Sequence, residues 1–227
     1  MTTLEDAFRC LQDYIHGNFG WHNDPIYPPK VACAFTFIAS CSREELRHRM
    51  DHRTITFAFF SGCIDDDASI ADTARRAKRH VPQNFGPLEP DQYSLLLGKI
   101  SSLLQFSFHF DDSGGAVHWP RTLAQRTAAL DVLVSITQSI RDEDHKRYIY
   151  GRDPYWIHIA PAIFLSCADG DEELNHYATR YLRLALERRL LTKEDLDSSR
   201  QMLENVLSQR GAADLLSRLK ALELQLS

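Results

Sequence analysis

Long stretches mixing apolar and polar residues, separated by tight clusters of glycine and proline, set the architecture this chain predicts. The clusters fall at residues 17–29, 82–90, 111–120, 151–154 and 168–171. They punctuate the chain because glycine admits backbone angles that other residues avoid, while proline lacks the N–H a helix or sheet would use. Between them, residues 93–110, 121–141 and 171–191 each run well past ordinary strand length and predict helices. No period-two alternation with paired turn signals stands out, so no sheet is expected. Ser42-Arg43-Glu44-Glu45 has the Ser-x-x-Glu form of a capping box and predicts a helix starting at Ser42. Leu215, Leu219, Leu222 and Leu226 recur at helical spacing and place an apolar face near the C-terminus. The expectation is an all-α, single-domain helical bundle of about ten helices spanning residues 1–227.

The pointed feature of the pattern is an apolar run, Ile55-Thr56-Phe57-Ala58-Phe59-Phe60-Ser61-Gly62-Cys63-Ile64, that ends directly in Asp65-Asp66-Asp67. A helix apolar nearly all round is a buried helix, and carboxylates at its end suggest a cavity with a charged rim. If the helix continued through Asp72, then Asp65, Ser69 and Asp72 would share one face, where their oxygens could bind magnesium. The same run also reads as a solvated acidic turn.

Composition narrows the field. The chain has 227 residues, 44% apolar and 25% charged, ordinary globular values that argue against disorder and against a fibrous repeat. A net charge of -5, with 26 basic and 31 acidic residues dispersed along the chain, gives no basis for a nucleic-acid partner. The N-terminal residues lack the basic start and apolar run of a secretory signal. The longest apolar stretch, residues 31–39, is too short to span a bilayer. A soluble cytoplasmic protein is expected. Five cysteines, with no Cys-x-x-Cys pair, fit neither a disulfide framework nor a zinc finger and read as reduced core residues. Nucleotide-binding glycine loops and Gly-x-Ser-x-Gly elbows are missing from the sequence.

Tyr27-Pro28-Pro29, then His52 to Phe60 leading into Cys63-Ile64-Asp65-Asp66, then Arg75-Arg76 and the prolines Pro82, Pro87 and Pro90, resemble the region around the aspartate-rich motif of trichodiene-synthase-like fungal class I terpene synthases. The resemblance covers roughly residues 27–110. It implies a helical fold around an apolar pocket in which Mg2+ clamps a prenyl diphosphate, whose departure leaves an allylic cation for cyclisation. By the same resemblance Asp65 and Asp66 are the leading catalytic and metal-binding positions, with Asp67 or Asp72 in support. Asn175 and Thr179 match the first two positions of the family's second metal motif. Arg180-Tyr181 matches a diphosphate-binding doublet, and Phe57, Phe60 and Phe106 are aromatics to line the pocket and stabilise carbocations. The pattern departs from the family at Ser69, or at Ile70 in the next register, where an acid belongs, and at Arg183, which stands at the acidic third position of the second motif.

Other chemistry is thinner. Glu45-x-x-His48 and Glu173-x-x-His176 have the spacing of di-iron ligands in ferritin-like bundles, but Glu45 is already explained as a cap and Glu173 as a first-turn acid. Phe108-His109-Phe110-Asp111-Asp112 could present a histidine with carboxylates, although a helix end meeting the Gly114-Gly115 loop is the favoured reading. The alternative function is a non-catalytic helical interaction or homodimerisation module docking through the leucine face of residues 203–226.

Overall fold

The computed structural model describes residues 3–15, 27–42, 44–46, 52–79, 88–111, 114–139 and 155–222. Helices dominate them: α1 (Leu4–Ile15), α2 (Tyr27–Ser40), α3 (His52–Cys63), α4 (Ala68–Lys78), α5 (Pro90–Leu103), α6 (Leu123–Ser139), α7 (Tyr155–Cys167), α8 (Glu172–Glu187), α9 (Lys193–Gln209) and α10 (Ala213–Ala221). A two-stranded hairpin, β1 (Ser107–Asp111) and β2 (Gly114–His118), follows α5. The expected all-α character holds with this one addition. The chain packs as two compact units, Met1–Leu96 and Leu97–Ser227, with the boundary inside α5.

In the first unit the apolar pattern decides which helix is central. In α1, Ala7, Leu11 and Tyr14 are buried at helical spacing, so one face packs against α2 and α3. In α3, Ile55 through Phe60 are buried without a break, which makes it the core helix the sequence pattern implied. Gly62 allows its neighbours to close in: a Cβ built there would lie 2.5 Å from a Phe35 ring atom and 2.9 Å from the Ala74 Cβ. Phe35 in turn meets Phe59 edge to face, with ring centroids 5.0 Å apart.

In the second unit α7 takes the central place. Residues from Ile159 to Ala168 are buried apart from Pro161. Helix α8 lays Leu174, Ala178, Tyr181, Leu182 and Ala185 against α6 and α7. The Arg188 guanidinium, just past its end, donates to the Thr137 carbonyl of α6. Two helices end alike. Arg189 (φ 54) and Gly211 (φ 71) take left-handed backbone after α8 and α9, and Leu190 N–H to Ala185 O and Ala212 N–H to Leu207 O close the six-residue loops of Schellman motifs.

Three sequence expectations are corrected here. The helix expected over residues 93–110 stops at Leu103, because Phe106-Ser107-Phe108-His109-Phe110 alternates with period two and Gly114 and Gly115 sit on the return strand. The C-terminal leucine face belongs to two helices broken at Gly211, and Leu203, Leu207, Leu219 and Leu222 are buried within the chain. Leu226 lies outside the described residues. Of the five cysteines, all free thiols, Cys63 and Cys167 are buried while Cys33 is exposed on the outer side of α2. The Ser42 capping box is present: the Ser42 hydroxyl accepts from Glu45 N–H at 3.2 Å, and Glu45 accepts from Ser42 N–H at 2.8 Å.

Candidate functional site

The aspartate run is a helix break. Helix α3 ends at Cys63 and α4 begins at Ala68, so Asp65, Ser69 and Asp72 do not share a continuous helical face. The aspartates themselves make the break, since a short carboxylate competes for backbone N–H groups. Asp67 is the N-cap of α4, its Oδ1 accepting from Ser69 N–H at 2.9 Å, Ile70 N–H at 3.2 Å and the Ser69 hydroxyl at 2.6 Å. The Ser69 hydroxyl and then these amides hold the Asp67 carboxyl below the usual aspartate range, against the opposing effect of its partial burial. Asp65 accepts from Asp67 N–H at 2.8 Å and from the buried Tyr14 hydroxyl at 2.5 Å, which ties α1 to the turn. Asp66 is exposed. Asp72 pairs with Arg75, whose Nε also donates to the Cys63 carbonyl at the end of α3. Phe57 and Phe60 are buried in the unit's core, with the Lys78 ammonium 5.7 Å from the Phe60 centroid.

In the second unit a cleft of about 630 Å3 runs along α8, bordered by Gln138 of α6 and by the turn from α7. Five of the residues named from sequence line it, Asn175, His176, Thr179, Arg180 and Arg183. Tyr181 does not, because its side chain is fully buried on the opposite face of α8. Asn175 and Thr179 are partly committed to the protein: the Asn175 amide donates to the Cys167 carbonyl, and the Thr179 hydroxyl lies 3.4 Å from Asn175 Oδ1 and 3.8 Å from Cys167 Sγ. Burial pushes the Cys167 thiol up to about 12, with the Thr179 contact opposing, so it is inert at neutral pH.

Four acids also line the cleft, and two are compensated from within. Asp171 caps α8 by accepting from Leu174 N–H at 2.8 Å, where the helix dipole favours its charge. Asp169 accepts from Asp171 N–H and faces Arg126 at 3.6 Å. Arg126 is 7% exposed and stacks its guanidinium 4.3 Å from the Trp119 ring centroid. Burial lowers its pKa, and Asp169 works in the other direction. Glu172 and Glu187 share the lining with Arg180 and Arg183, and all four residues are exposed. The Trp119–Arg126–Asp169 clamp, which fixes the turn at the cleft's rim, had no signal in the sequence, because its three members come from separate segments.

Several of the donors named for magnesium are already engaged within the protein. Asp65 and Asp67 accept from protein donors, the Asn175 and Thr179 pair carries no carboxylate, and Arg183 adds a cation beside them. Among the described residues no group of three or more His, Cys, Asp or Glu could hold a metal ion. Phe106 packs instead with Phe108 and Trp119 beside the hairpin, at centroid distances of 5.2 and 5.5 Å. Glu45 is held by its cap, and His48 lies outside the described residues. Among the described residues no helix is long and apolar enough to cross a membrane. Comparison with protein-family models, with curated proteins and with solved structures found no match.

Proposed function

We propose that this chain binds a small molecule bearing a diphosphate in the cleft along α8, and that it is a diverged terpene-synthase-like protein for which a prenyl diphosphate is the ligand. The observation that carries the reading is the pair Arg180 and Arg183, one turn apart and both on the cleft. Two guanidinium forks at this spacing suit the several oxygens of a diphosphate, which they can engage through paired N–H donors. The Gln138 amide on the facing helix adds a neutral donor. Leu184 is the one aliphatic side chain among the lining residues, so the cleft is suited to the diphosphate rather than to the prenyl chain. Ionisation and cyclisation with Mg2+ is the activity the resemblance implies.

The test is calorimetric titration of the full chain with inorganic diphosphate and with a non-hydrolysable prenyl diphosphate analogue, each with and without Mg2+. Binding lowered by about tenfold or more in Arg180→Glu and in Arg183→Glu is expected, since losing one charge-assisted contact costs about 1.5–3 kcal/mol. No binding of either probe, or equal binding in both variants, refutes the reading. Product analysis with a prenyl diphosphate and Mg2+ tests the lyase activity separately. The docking alternative has one observation in its favour: Met202 and Val206 of α9, 50% and 37% exposed, form a small apolar strip beside the buried leucines. A concentration-dependent dimer abolished by Met202→Ser with Val206→Ser would support that alternative.

A further inference from the structure

The outer face of the hairpin carries two histidines in an arrangement the cleft does not use. In the register of β1 and β2, Ser107 pairs with His118 and His109 with Ala116, so these four residues share one face and the histidines occupy a diagonal. All four are exposed, whereas Phe108 and Val117 on the other face are half-buried. The imidazole centroids are 5.2 Å apart, with the rings at 85°. Two imidazoles bound to one tetrahedral ion at the usual Zn–N length of about 2.0–2.1 Å have centroids about 5 Å apart. The remaining corners, Ser107 and Ala116, are small and leave the space above the diagonal open.

We propose that His109 and His118 form a two-imidazole site on the hairpin for a borderline divalent transition ion, with Zn2+ as the reference. Imidazole suits Zn2+, Cu2+ and Ni2+, whereas Mg2+ prefers oxygen ligands, so the site is distinct in chemistry from anything magnesium would occupy. A β-ribbon suits the purpose because its backbone ladder fixes both Cα positions and only two side-chain torsions per residue must be set. The chain supplies two ligands here, and water completes the coordination. The site is therefore open, and weaker than a closed four-ligand site.

The experiment is calorimetric titration of the full chain with ZnCl2 in a non-coordinating buffer near neutral pH, compared with His109→Ala and His118→Ala. Both side chains are exposed, so the variants should keep the parent circular-dichroism spectrum and melting temperature. The expected result is one Zn2+ per chain, weakened by about tenfold or more in each variant, given that removing even an outer partner of a metal ligand costs about 10–100-fold. Cu2+ should bind more tightly than Zn2+, and Mg2+ should not compete. Absence of Zn2+ binding overturns the proposal and leaves an edge-to-face ring pair of the ordinary kind. Zn2+ binding retained at full strength in both variants overturns it equally, by placing the ion elsewhere.

Discussion

Asp65→Ala should destabilise the first unit through Tyr14, and a double-mutant cycle with Tyr14→Phe isolates the effect. Asp65 holds two bonds, from the Tyr14 hydroxyl at 2.5 Å and from Asp67 N–H at 2.8 Å. A hydrogen bond to a charged group contributes about 1.5–3 kcal/mol, and a typical neutral one about 0.5–1.5 kcal/mol. Tyr14 is 8% exposed but Asp65 is half-buried, so water replaces part of what is lost and the lower ends apply. Both bonds are to a charged acceptor, so Asp65→Ala is then expected to cost about 3 kcal/mol and Tyr14→Phe about 1.5 kcal/mol. The double variant should cost less than their sum by about 1 kcal/mol. Urea unfolding followed by far-ultraviolet circular dichroism measures all four proteins, provided the dependence on urea keeps the same slope. Costs that add to within about 0.3–0.5 kcal/mol would show that the two groups are not coupled, and the tether would be wrong. Repeating the cycle in Mg2+ separates two roles for Asp65: a tether gives the same coupling, whereas a coupling that collapses with Mg2+ would support the metal-binding role the sequence suggested.

Two further outcomes follow from the same unit. Because its partners hold the Asp67 carboxyl below its unfolded value, its contribution is fully present above about pH 4 and is lost as pH falls through the folded pKa. Asp67→Asn, which keeps a capping oxygen without the charge, should flatten the acid limb of a stability–pH profile, and an unchanged limb would contradict the assignment. Gly62→Ala sets a helix-propensity gain of about 1 kcal/mol against overpacking of about 1–3 kcal/mol. Since Phe35 is fully buried and cannot swing aside, a net loss of stability is expected in thermal melts, and a more stable variant would refute the close approach.

Local physics made much of this chain legible in advance. The capping box at Ser42, the buried run of α3 and the predominance of helices all follow from residues within a few positions of one another. The hairpin was not read from the sequence, although Phe106 to Phe110 alternate and two glycines follow, because the length of the surrounding segment favoured a helix. The aspartate run shows how much a local pattern leaves open. Three carboxylates after an apolar helix fit a metal rim and a capped turn equally well, and the choice depended on whether the chain continued as a helix past Cys63.

What the sequence determined by itself was therefore the class of fold and the approximate limits of a few helices, such as α6 and α8, because propensity, capping and periodicity act over one or two turns. Only the tertiary structure decided what the chemistry-bearing residues touch. Tyr14 reaches Asp65 from α1, Arg126 meets Trp119 and Asp169 from separate segments, and α8 turns Arg180 and Arg183 onto the cleft while burying Tyr181 beside them. Such partnerships depend on how apolar faces pack, and packing joins residues whose separation in sequence carries no trace of their contact.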